Sequence, residues 1–240
     1  MESLDVFRFN NRENLLILGV MGGIASGKTT VTNEFAKYGA HVINADLVVR
    51  EILQEKNTQQ QIGETFPHIF PNANFDKKLL AQHVFSSRDN LKKLESILHP
   101  LVRLRIKNML EDIASKGKEK VVVETGPDLK LEDKDAKLAF VDTHMKVHHE
   151  KTVVIIDAPL LWENGLHQGV DTLIFIDTPI ELRRKRAETN RGWNNDELDR
   201  REKFQSDLLV KKQNSNYVIE NENQQKMEQQ VKDIWLQLPR

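Results

Sequence analysis

A chain of 240 residues is long enough for one α/β domain with insertions or for two small domains, and it can bury a core without disulfides. With 35 basic against 36 acidic residues the formal net charge is −1, so the whole molecule has no electrostatic case for nucleic acid or a membrane surface, and recognition of a polyanion must be local. Cysteine is absent, which excludes disulfides, thiolate metal centres and cysteine nucleophiles and fits a reducing compartment.

In chain order, residues 1–14 read as an N-terminal extension. The opening MESLDVFRFNNRENLL is polar and mixed in charge, unlike a secretory leader, and no run approaches the roughly 20 apolar residues that cross a bilayer. A cytoplasmic protein is expected. Residues 15–20, LLILGV, form a continuous apolar run entering glycines, the pattern of a central parallel strand buried on both faces. Helical spacing over 28–38 (Val31, Phe35, Tyr38) stops at Gly39, and AHVINAD at 40–46 predicts a second strand ending in a carboxylate. Residues 47–115 are mostly helical in pattern, with turn signals in FPHIFPNANFD and a helical stripe around His99-Pro100. Strands are predicted at 152–161, 171–179 and 216–221, a charge-rich helical stretch at 180–212 and a closing amphipathic helix at 222–238. EKVVVETGPDL at 119–129 echoes EKTVVIIDAPLL at 150–161; the second copy has the strand–turn–helix context, so 119–150 is read as an insertion, in hairpin form. Alternating strands and helices predict a parallel sheet with ligands at the carboxyl ends of its strands.

Gly22-x-x-x-x-Gly27-Lys28-Thr29 satisfies the phosphate-loop pattern in its proper place, after a strand and before a helix. Glycines let successive N–H groups point at phosphate oxygens, reinforced by the positive end of the following helix. Lys28 is placed to bridge the β- and γ-phosphates, and the Thr29 hydroxyl to ligate Mg²⁺. Transfer also needs an acceptor. Asp46, at the predicted end of the second strand, could take a proton from a substrate hydroxyl or serve equally as the N-cap before LVVREIL. Asp157 could hold Mg²⁺ through water or cap the turn before APLLWE. The arginines 183, 184, 186, 191, 200 and 201 alternate with acids, as on a solvated helix, although a lid over a triphosphate needs only one or two of them. His99 is read as packed or capping more readily than as a ligand, and His148-His149 as surface.

Five segments, GGIASGKTTV, VINAD, LHPLVR, DAPLLWENGL and RGWNNDELDRREKFQ, together resemble the dephospho-CoA kinase family in order and spacing, across roughly residues 15–118 and 150–238. That resemblance implies ATP-dependent phosphorylation of the ribose 3′-hydroxyl of dephospho-CoA, the last step of CoA biosynthesis, with Mg²⁺. The implied fold is a three-layer P-loop nucleotide kinase with a parallel five-stranded sheet, a helical acceptor-binding insertion and a helical lid. By the same resemblance Gly23, Ala25, Ser26, Gly27, Lys28, Thr29 and Thr30 would line the ATP phosphates, and Asn221 would lie near adenine. Asp46 would be the catalytic carboxylate, with His99, Pro100 and Leu160 on the acceptor side, Arg184 or Arg186 in the lid, and Thr29 and Asp157 at the metal.

Four departures stand out. Ala25 replaces a usual glycine, which is tolerable only away from positive φ; Asn44 stands where aspartate is common; Trp162 replaces a phenylalanine; and Arg191 is displaced by one residue from the usual lid arginine, leaving Asn190 there. The expected division is a P-loop core at 15–46, 150–180 and 213–240, a helical acceptor-binding domain at 47–118, an insertion at 119–149 and a lid at 181–212. The substrates are dephospho-CoA and ATP, with no nucleic-acid or membrane partner, in a monomer or small homo-oligomer. Two rivals remain: another small-molecule P-loop kinase acting on a nucleoside, nucleotide or sugar, against which HP and PLLWE speak; and a nucleotide-dependent switch, which would need an NKxD stretch that the chain lacks.

Overall fold

A computed structural model describes residues 3–69, 75–85, 87–116, 151–203 and 205–239. The predicted insertion at 119–149, with its hairpin, its echo of the later strand and His148-His149, lies outside the described residues. Among those described, the order is β1 (Leu15–Gly22), α1 (Lys28–Lys37), β2 (His41–Asn44), α2 (Ala45–Ile52), α3 (Lys56–Thr65), α4 (Lys77–Phe85), α5 (Arg88–Lys116), β3 (Thr152–Asp157), β4 (Thr172–Asp177), α6 (Ile180–Arg191), α7 (Asn195–Glu202), α8 (Leu208–Gln213), β5 (Tyr217–Glu220) and α9 (Gln224–Gln237).

The strands form one parallel five-stranded sheet in the order β2-β3-β1-β4-β5. All eight residues of β1 are buried, as its unbroken apolar run requires of a central strand. Its side chains alternate between two cores. Leu15, Ile17 and Met21 join Ile106 and Leu110 of α5 on one face, while Leu16, Leu18 and Val20 meet Val31 and Phe35 of α1 and Val231 and Trp235 of α9 on the other. This is a three-layer α/β fold. The N-terminal residues belong to it too: Val6 and Phe7 are buried in the α5-side core, and Arg12 pairs with Asp171 at 2.9 Å.

A third core stands apart from the sheet. Val48 and Ile52 of α2, Ile62 of α3, Leu80 and Val84 of α4 and Leu94 and Leu98 of α5 enclose it. The 29-residue α5 therefore serves two cores, Leu94 and Leu98 in the helical one and Ile106, Leu110 and Ala114 against the sheet, with Pro100 between the two sets.

Two predicted boundaries are corrected: the strand read at 152–161 ends at Asp157, where the chain enters a turn, and the second strand is shorter too. The second strand ends at Asn44, not at Asp46, because Asn44 is extended (φ −95°, ψ 109°) and its side chain accepts from the Leu47 N–H at 3.0 Å. Asn44 is thus the N-cap of α2, and Asp46 lies in that helix's first turn, where a carboxylate suits the positive end of the dipole.

Candidate active site

The phosphate loop joins β1 to α1 at the carboxyl edge of the sheet. Gly27 caps α1 in the left-handed region (φ 86°), a conformation open to glycine at no steric cost. Ala25 is also left-handed, with φ 59°. The condition set for a harmless alanine is therefore not met, and the loop carries a non-glycine residue in a conformation costing about 1–2 kcal/mol.

That strained turn is braced from three sides. The Ser26 carbonyl accepts from Thr178 Oγ1 at 2.9 Å, Asn221 Nδ2 at 2.8 Å and Arg186 Nη1 at 3.2 Å. Asn221, 5% exposed, follows β5, and Arg186 also donates to the Asn221 carbonyl at 2.9 Å. Arg183, buried at the base of α6, donates to the carbonyls of Thr178 at 3.2 Å and Ile24 at 3.4 Å and forms an ion pair with Glu202 at the end of α7.

Inside the loop, Lys28 Nζ donates to the carbonyls of Gly22 and Gly23, each at 3.0 Å. Burial is the main reason its ammonium is pushed down to about 8, against the pull of Asp157 and Asp46 and with help from the charges of Lys211 and Arg191. At the end of β3, Asp157 is 4% exposed, and its Oδ2 accepts from Thr29 Oγ1 at 3.2 Å and from Asn44 Nδ2 at 3.3 Å. Burial raises this carboxyl above the usual range, while Lys28 and the Thr29 hydroxyl pull it back. Both groups are poised for the charge that a polyphosphate and a cation bring.

A cavity of about 590 Å³ opens over the loop. It is lined by Ala25 to Thr30 of the loop, by Asp46 and Asp157, by Arg186, Asn190, Arg191 and Gln205, and by Asn221, Glu222 and Met227. The structure thus brings together the loop, Asp46, Asp157, Arg186 and Asn221. It leaves five expected residues off the lining, among them Gly23, whose carbonyl accepts from Lys28 Nζ. Arg184 faces Asp199 of α7, with Nη2 at 3.3 Å from Oδ2. His99, Pro100 and Leu160 lie outside the cavity wall, and burial lowers the His99 imidazole below its ordinary 6.5.

Sequence reasoning missed several residues. Glu163, the acid that ends PLLWE, accepts from Lys211 Nζ at 2.6 Å and from the Ser206 N–H at 2.7 Å, anchoring the chain that leads into α8. Lys211 is only 2% exposed. The signals for Glu163 and Gln205 lay in the quoted motifs, Arg183 was one of the arginine run, and Lys211 had none beyond being one charge among many.

A glycine-turned phosphate loop after the central strand, a buried carboxylate on the adjacent strand and a second carboxylate lining the same cavity define a P-loop phosphotransferase. Comparison narrows the class. The sequence profile of the dephospho-CoA kinase family matches residues 16–142 and 136–227, and the chain belongs to that family, whose members phosphorylate an alcohol acceptor. Dephospho-CoA kinases of Corynebacterium jeikeium and Bacillus licheniformis are 26% and 28% identical over 224 and 209 residues, covering 92% and 86% of this chain and 98% and 88% of theirs. The crystal structure of TT1252 from Thermus thermophilus superposes with a TM-score of 0.71 at 23% identity, over 95% of this chain and 100% of that one. Dephospho-CoA kinase from Campylobacter jejuni gives 0.56 at 19% identity, over 94% and 98%. Both structural likenesses confirm the fold.

Proposed function

We propose that this cavity transfers the γ-phosphoryl group of ATP to the ribose 3′-hydroxyl of dephospho-CoA, giving CoA and ADP. The observation that carries the assignment of roles is that Asp46 and the phosphate loop line the same cavity. The triphosphate lies along Ala25 to Thr30, with adenine toward Asn221, Glu222 and Met227. Lys28 leaves its two loop carbonyls for the β- and γ-phosphates, whose charge favours its ammonium form. Asp46 accepts the 3′-hydroxyl proton as the O3′–Pγ bond forms and the bond from Pγ to the β,γ-bridging oxygen breaks.

The Thr29 hydroxyl and the Asp157 carboxylate, 3.2 Å apart, are hard oxygen donors on the loop side of the cavity and would hold Mg²⁺, directly or through water. Bound there, the ion would supply charge neutralisation for the polyphosphate.

Among the lid arginines we assign the clamp on the transferring group to Arg191, since it lines the cavity while Arg184 is engaged with Asp199 and Arg186 braces the loop. His99, Pro100 and Leu160 are proposed to serve the acceptor side from outside the phosphate cavity. The separate core of α2 to α5 supports reading 47–118 as the acceptor-binding domain, with 181–212 as the lid. No helix among the described residues is long and apolar enough to cross a membrane. We place the enzyme in the cytoplasm as a monomer or small homo-oligomer with no nucleic-acid partner.

The test is ADP release measured across dephospho-CoA, nucleosides, nucleotides and sugars. Turnover on dephospho-CoA at least about 10²-fold above every other acceptor is expected. Equal or better turnover on a simple nucleoside or sugar would replace the acceptor assignment.

A further inference from the structure

The tip of the lid holds an arrangement that this reaction scheme does not use. Helix α6 ends at Arg191, Gly192 turns the chain with φ 67°, and Trp193 follows, its N–H bonded back to the Ala187 carbonyl at 3.3 Å. That backbone bond holds the main chain of Trp193 at the end of α6, and its indole is half-buried. Two guanidinium groups face the same ring, with Cζ of Arg191 at 4.8 Å and Cζ of Arg201 at 4.1 Å from its centroid. They are not held alike. Arg201 is also tethered by Glu197, its Nε donating to Oε1 at 2.6 Å. No ion pair joins Arg191 to a carboxylate among the described residues, while Arg191 lines the phosphate cavity and its charge is felt at Lys28.

We propose that Trp193 is a positioning residue for phosphoryl transfer: its indole holds the Arg191 guanidinium at the mouth of the cavity until the polyphosphate takes it. This rests on the assignment of Arg191 as the lid clamp. A long exposed arginine loses much rotamer freedom when it is fixed on a phosphate, and a ring that already restricts it lowers that loss. An exposed cation–π contact is weak enough to be exchanged for a charge-assisted bond to phosphate. The second cation on the same ring repels Arg191, and because Arg201 is tethered, Arg191 is the one that leaves. The displaced arginine and the indole after it thus work as one unit.

The test is a double-mutant cycle on kcat and KM with MgATP and dephospho-CoA. Trp193→Leu is expected to lower kcat about 3–10-fold with the dephospho-CoA KM unchanged, and Trp193→Phe to restore most of the loss, since phenylalanine keeps a ring face and leucine does not. In an Arg191→Ala background Trp193→Leu should cost nothing further. An equal cost in both backgrounds overturns the role of Trp193 and leaves the Arg191 assignment standing. Wild-type kinetics for Arg191→Ala overturn both. A second readout does not depend on the folding of any Trp193 variant. MgATP should change tryptophan emission in the wild-type chain and leave it unchanged in Arg191→Ala; the same change in both proteins contradicts the proposal.

Discussion

The loop wall and the lid wall of the phosphate cavity are held by different kinds of contact. On the loop side a single carbonyl, that of Ser26, gathers donors from the end of β4, the middle of α6 and the end of β5. On the lid side the cavity-lining Arg191 rests on an indole through a cation–π contact at 4.8 Å. The first arrangement over-determines its geometry and can hold a left-handed alanine. The second leaves its cation free to travel. Electrostatic catalysis needs both: fixed donors cost no reorganisation when charge develops, and a movable cation admits substrate before closing on it.

The largest break in this comparison is on the loop side. Lys28→Met removes the one cation inside the loop, and a fall in kcat of about 10²–10³ is expected by steady-state assay with the melting temperature retained. Next is the strut behind both walls. Lys211→Met leaves the half-buried Glu163 without its ion partner and should destabilise by about 2–3 kcal/mol in urea unfolding, whereas combining it with Glu163→Gln recovers most of that loss.

pH sharpens the contrast more gently. Lys28 is held at about 8 in the folded chain against an ordinary 10.5. Between those values the unfolded chain binds the extra proton, so stability without nucleotide should rise as pH rises from about 8 toward 10.5, and Lys28→Met should flatten that rise. Over the same interval kcat/KM for ATP should fall, because it reports the free enzyme and the phosphates need the charged lysine. The smallest effect belongs to Ala25→Gly. Relief of the left-handed alanine, about 1–2 kcal/mol, is partly offset by the added freedom of the unfolded chain, about 0.4–1 kcal/mol. A net gain of roughly 0.5–1 kcal/mol is expected by urea unfolding.

What is legible in the sequence is what local chemistry controls. LLILGV must be buried on both sheet faces, and GGIASGKTT carries its own turn, donors and helix start, so β1, the loop and α1 can be read directly. The fate of Asp46 is harder, because Asn44 and Asp46 are both good caps two residues apart and only the extended backbone at Asn44 decides between them. The lid arginines are harder again. Arg184 is drawn to Asp199 only because α7 folds back along α6, and Arg186 reaches the Ser26 carbonyl only because α6 lies beside the loop. Glu163 and Lys211 meet through the tertiary fold, with no periodicity linking them. The conformation of Ala25 is the clearest case. Its residue type argues against positive φ, and the braces from β4, α6 and β5 impose it nonetheless.

The central claim is that Asp46 acts on the acceptor and takes no part in holding the nucleotide. Asp46→Asn tests it most directly, with MgATP affinity measured at equilibrium and transfer to dephospho-CoA measured in a single turnover. The account predicts a MgATP Kd within about threefold of wild type and a transfer rate at least about 10²-fold slower. Transfer at a near wild-type rate, or loss of nucleotide binding together with transfer, would contradict it.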